Sequence, residues 1–236
     1  MIPLHDDHVC VKIPVVTIGL LVLTIAVFLY QISVTSDVAT SMFQTFGFIP
    51  ARWFALLQGE AAESRLDVMR SLVTNLFLHA GWLHLIINLL YLWTFSRKVE
   101  EVLGRARFLA LYGLCGMGAV LAYACVHPAS VIPMVGASSA ISGILGAYLL
   151  LAPRAGILLL MPGYGMVTVS AWKVLAGWFG LQVLMSVFGE SEGGGVGFGV
   201  HIAGFLIGVT LLWNWARCTQ YALGWNLVQP GRISVG

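Results

Sequence analysis

The sequence predicts an all-α membrane protein, a six-helix bundle with a short central fourth helix, and three observations predict it. Charged residues make up 9% of the 236-residue chain and apolar ones 59%, against roughly 25% charged in a soluble domain. A chain this apolar cannot cover a water-facing surface, so its solvent is lipid. Six segments are apolar enough to be helices in a bilayer, at about 13–32, 82–96, 107–126, 138–152, 170–188 and 199–216. The few polar side chains inside those segments gather toward one leaflet.

The first apolar run follows Asp6, Asp7 and a single Lys12. That is a poor positive flank for a signal peptide, so the run reads as a retained span. A long connection, 33–70, comes next. Its stretch from Gly47 to Leu57 mixes one charge, Arg52, with Trp53 and Phe54. Such a mixture suits either a segment lying in the membrane interface or a plain loop outside it.

From Ser138 to Pro153 the fourth segment has about 15 residues, and at 1.5 Å each it rises only about 22 Å. The hydrocarbon core is about 30 Å thick, so either this segment is not a span or one of its ends stops below the membrane surface. Its many small residues suit a central helix that neighbours approach closely. The apolar run before it, Val131 to Gly136, can line a protein-buried dip into the membrane.

Basic residues set the orientation. With the N-terminus inside, six spans place Lys12, Arg97, Lys98, Arg105, Arg107, Arg154, Lys173, Arg217 and Arg232 inside. Arg52, Arg65 and Arg70 then fall outside, a bias that the positive-inside rule asks for. The expectation is one membrane domain over 1–236, with both termini inside. The net charge of +2 is too small to suggest a nucleic-acid partner. Cys10, Cys115, Cys125 and Cys218 are scattered, which points to neither a zinc site nor a disulfide framework. No metal or other cofactor is expected.

Ionisable and polar groups at membrane depth are costly and mark functional sites. In this topology the second, fourth and sixth spans all enter from outside. His79, His84 and Asn88, then Ser138, then His201 therefore lie near one depth. His84 and Asn88 are four apart and share a helix face. Nucleophilic catalysis needs a hydroxyl beside a base and donors aimed at the developing oxyanion. Ser138 and His201 supply the first; Asn88, His84 and the Ser138 backbone N–H can supply the second. No carboxylate falls inside a span, which argues against an aspartyl site with paired acids. There is also no His-Glu-x-x-His. Each residue alone has a plainer use: Ser138 as a helix cap, His201 as a hydrogen-bonded helix-end histidine, Gly204 and Gly208 as packing residues.

Taken together the motifs resemble the rhomboid protease family. Gly136-Ala-Ser138-Ser139 is similar to its Gly-x-Ser-Gly, with Ser139 in place of glycine. His201-Ile-Ala-Gly204-Phe-Leu-Ile-Gly208 matches its His-x-x-Gly-x-x-x-Gly, and His79, His84 and Asn88 match its second-helix pattern. Glu100-Glu-Val-Leu-Gly104 matches the Glu-x-x-x-Gly that follows, whereas Met69-Arg70 stands where a Trp-Arg pair is common. The resemblance implies an intramembrane serine endopeptidase with Ser138 as nucleophile and His201 as general base. It also implies transmembrane protein substrates, a plasma membrane location and a site facing the periplasmic or extracellular side. In it the fifth span and the glycine-rich run 193–197 act as gate and cap. Two other readings compete. One is an inactive relative that binds transmembrane clients, which the retained Ser138 and His201 oppose. The other is a small transporter, opposed by the lack of an internal repeat.

Overall fold

The computed structural model describes residues 2–7, 11–60, 64–161, 163, 165–188 and 197–223, with side chains as far as 215. Strand β1 (Ile2–Asp6) is followed by helix α1 (Val15–Ser33) and by three short helices, α2 (Ser36–Phe46), α3 (Pro50–Gln58) and α4 (Arg65–Thr74). The long connection is therefore mostly helical, for local reasons. Proline opens α3, where its missing N–H is no loss, and Gly59 closes that helix at φ +78°. Ser64 caps α4 by accepting the Asp67 N–H. The interface-like stretch falls largely on α3, whose half-buried residues pack against α4 and α6 (Arg105–Val126).

A short 3₁₀ turn, Asn75–Phe77, leads into α5 (Trp82–Leu103). Helix α5 runs past position 96, the limit expected from hydropathy, and stops at Gly104, φ +77°. Then come α6, α7 (Ser138–Leu151), strands β2 (Gly156–Met161) and β3 (Gly165–Ser170), α8 (Ala171–Phe188) and α9 (Phe198–Leu223).

Helix α7 is the axis of the fold. Every residue from Ser139 to Tyr148 is buried, and a helix buried all round must sit inside other helices. Helices α5, α6 and α9 surround it. The approach to α9 is backbone on backbone. A Cβ on Gly204 would collide with the Ser139 carbonyl, one on Gly208 with the Gly143 backbone, and one on Gly146 with the Phe205 carbonyl.

Among the described residues, four helices can cross a bilayer by length and apolarity: α1, α6, α8 and α9. A fifth is counted if the segment Arg65–Phe77 and α5, bent by 80°, form one span. Helix α7, at 14 residues, is the short apolar helix that the sequence foretold. The chain is a multi-pass helical membrane protein.

The all-α expectation is corrected at one place. Strands β1, β2 and β3 form an antiparallel sheet in that order. Strands β2 and β3 fall between the fourth and fifth expected spans, and each is only six residues long. Ile157 and Leu159 turn inward and are buried. The sheet follows the C-terminal end of α7 and so lies at the end opposite Ser138.

Candidate active site

Ala137, not Ser138, is the cap position of α7, and no side chain bonds at that cap. Ser138 is the first helical residue, and its Oγ is 2.9 Å from His201 Nε2 on α9. The plain capping role considered for Ser138 is therefore replaced by a contact across 63 residues. Below it, the Ser142 hydroxyl donates to the Ser138 carbonyl at 2.6 Å.

The turn into α7 depends on Gly136. Its φ is +120°, a region that L side chains rarely adopt. Its N–H donates to the Asn75 carbonyl at 2.9 Å. A Cβ there would lie 2.7 Å from His84 Cε1 and 3.7 Å from Ser138 Oγ. That bare backbone lets the His84 ring rest beside the serine.

Asn88 is buried one turn further along α5, and its amide donates to the His84 carbonyl at 2.8 Å. The second amide N–H remains as a donor. His79 precedes α5, with its ring centroid 5.0 Å from that of His84. Its backbone N–H donates to Gln31 Oε1 at 3.2 Å, and Gln31 returns a bond to the His79 carbonyl. His79 thus ties α1 to the start of α5.

A cleft of about 920 Å³ opens over these groups, lined among others by His84, Asn88, Ser138, Trp178, Gln182 and His201. Two of its residues had no place in the sequence-based site. Gln182 Oε1 lies 2.8 Å from His201 Nδ1, and the Trp178 ring is 6.1 Å from the His201 ring. The signal for Gln182 was present as a lone amide in an apolar segment, the mark that singled out Asn88.

The supporting residues divide by location. Ser139 is buried under Gly204, and its hydroxyl finds no hydrogen-bond partner among the described residues. Glu100 is remote from the cleft. It accepts from Val16 N–H at 2.9 Å, Thr17 N–H at 2.8 Å and the Thr17 hydroxyl at 2.7 Å. Arg70 pairs with Asp67 on its own exposed turn of α4. The glycine-rich run lies outside the described residues apart from Gly197.

A family model for the rhomboid domain matches residues 66–218. Rhomboid protein 1, mitochondrial, of Saccharomyces cerevisiae is 28% identical over 191 residues, covering 76% of this chain and 50% of that protein. Presenilin-associated rhomboid-like protein A, mitochondrial, of Danio rerio is 30% identical over 152 residues, 61% of this chain and 38% of the relative. Rhomboid protease GluP of Bacillus subtilis is 41% identical over 81 residues, 34% of this chain and 15% of the relative. The chain spans half or less of the length of each of these relatives.

Proposed function

The chain belongs to the rhomboid family, and on that premise we propose that it is an intramembrane serine endopeptidase acting on transmembrane segments of other proteins. One observation carries the reading: the 2.9 Å approach of Ser138 Oγ to His201 Nε2 at the mouth of a cleft. A hydroxyl is a weak nucleophile until a base takes its proton.

In this mechanism Ser138 Oγ attacks the substrate carbonyl carbon as His201 Nε2 accepts the hydroxyl proton. The developing oxyanion accepts hydrogen bonds from the Ser138 N–H, the Asn88 amide and His84. Collapse breaks the C–N bond, and His201 returns the proton to the leaving amine. Water deprotonated by His201 then releases the acyl group and regenerates Ser138. A helical substrate shields its own peptide bonds, so the segment must unwind before attack. Small residues at the cut, with helix-weakening residues beneath it, meet that need.

The proposed topology is one domain of six spans with both termini inside. It rests on the distribution of Lys and Arg. Ser138 then faces the periplasmic or extracellular side of a plasma membrane, with α8 as the lateral gate.

Ser138→Ala and His201→Ala are expected to abolish cleavage of a single-span substrate in detergent while the helical circular dichroism persists. A serine-directed fluorophosphonate should label the unaltered chain and leave Ser138→Ala unlabelled. Full cleavage by Ser138→Ala would sink the mechanism. Client binding without any cleavage or labelling would favour a non-catalytic relative.

A further inference from the structure

We infer that Gln182 is a positioning residue: its Oε1 fixes the proton of His201 on Nδ1 while α8 is docked, leaving Nε2 as the acceptor that faces Ser138. This rests on the protease reading above for its use, but not for its geometry.

A neutral imidazole carries one proton on either of two nitrogens, and its partners decide which. His201 has one partner on each side: Gln182 Oε1 at 2.8 Å from Nδ1 and Ser138 Oγ at 2.9 Å from Nε2. The glutamine oxygen is an acceptor only, so the Nδ1 side must donate. The Ser138 hydroxyl then donates to Nε2. With the proton on the other nitrogen, Nδ1 and the glutamine oxygen would face each other as two acceptors. In a buried site each unpaired polar atom costs about 1–3 kcal/mol. A carboxylate in this place would stabilise a charged imidazole but must first be stripped of water, an expensive step at membrane depth. An amide supplies the acceptor without that cost.

Gln182 does this from a helix that buries few of its residues against the rest of the fold. The buried residues of α8 are Ala171, Val174, Leu175 and Gln182. Three of them sit in its first turns, and Gln182 alone lies in its second half. Around it Leu181, Val183, Leu184, Val187 and Phe188 are exposed. Phe179 meets Phe205 of α9 at 4.9 Å between ring centroids, and the amide–imidazole bond adds the polar tie. Tilting the second half of α8 away from α9 removes the acceptor from Nδ1. Base geometry and docking of α8 are thus one event.

The test is the ¹⁵N spectrum of the full chain in detergent micelles with labelled histidine, the His201 signals being assigned by their loss in His201→Asn. The unaltered chain should show protonated Nδ1 and bare Nε2 at His201, and Gln182→Leu a mixture of both tautomers. In cleavage assays Gln182→Leu should lower kcat about 10- to 100-fold with KM nearly unchanged, part of the roughly 10²- to 10⁴-fold that a positioned base supplies. Gln182→Glu keeps an acceptor oxygen at the same reach and should restore most of it. His201 protonated on Nε2 in the unaltered chain overturns the proposal. So does a Gln182→Leu chain that keeps both the Nδ1–H signature and its kcat. A chain with the Nδ1–H signature that neither cleaves nor takes the fluorophosphonate upholds the positioning role and sinks the protease reading.

Discussion

Gly136 lets two catalytic candidates, His84 and Ser138, lie side by side by having no side chain. Its φ of +120° and the 2.7 Å gap to His84 leave no room for a methyl group. Gly136→Ala should therefore displace His84 and Ser138 together, and cleavage should fall by at least tenfold while the helical content holds. Circular dichroism beside a single-span substrate assay checks this. Asn88→Ala removes one donor, and one oxyanion donor is typically worth up to about 10²- to 10³-fold. Its kcat should drop within about 10- to 1000-fold, and unchanged turnover would remove Asn88 from the oxyanion role. At this scale the sequence was informative. Ser138, His84, Asn88 and His201 stand out as polar residues in apolar segments, and the structure gathers them round one cleft. Gln182 carries the same mark. Its partner is set by the rotation of α8 about its own axis, which no spacing within α8 states.

Helices here begin and end on local chemistry as much as on membrane thickness. Helix α5 ends at Gly104 rather than at Arg97 and Lys98, because charges do not break a helix and a glycine at positive φ does. That extra length delivers Glu100 to the first turn of α1, where no side chain of α1's own caps the helix. A carboxylate at a helix N-terminus satisfies orphan N–H groups and complements the dipole. Glu100→Ala leaves those donors and the Thr17 hydroxyl unpaired in a buried place, at about 1–3 kcal/mol per group. The melting temperature in detergent should fall by several degrees, at about 2–4 °C per kcal/mol for a chain of this size. The acidic motif was legible as a pattern. Its role was not, since the partner lies 83 to 84 residues away.

Across the whole molecule, the end opposite Ser138 is fastened by a buried polar knot. Asp6 accepts from Arg97 Nη2 at 2.9 Å and from the Tyr148 hydroxyl at 2.9 Å, so β1, α5 and α7 meet on one carboxylate. Asp6→Asn weakens the Arg97 ion pair in a buried site and should lower the melting temperature, while fluorophosphonate labelling below that temperature stays at its original rate. A parallel loss of labelling would show that the two ends of α7 are coupled. The spans α1, α6, α8 and α9 were legible because a long apolar run states its own length. The sheet was not, because β1 and β2 declare a pairing only when brought together. That separation also imposes an order in time. Asp6 leaves the ribosome 142 residues before Tyr148, and the strand that pairs with β1 is later still. Asp6 and β1 are thus made well before the residues that fasten them. A chain halted before β2 leaves the backbone edge of β1 unpaired, which distinguishes it from the folded molecule.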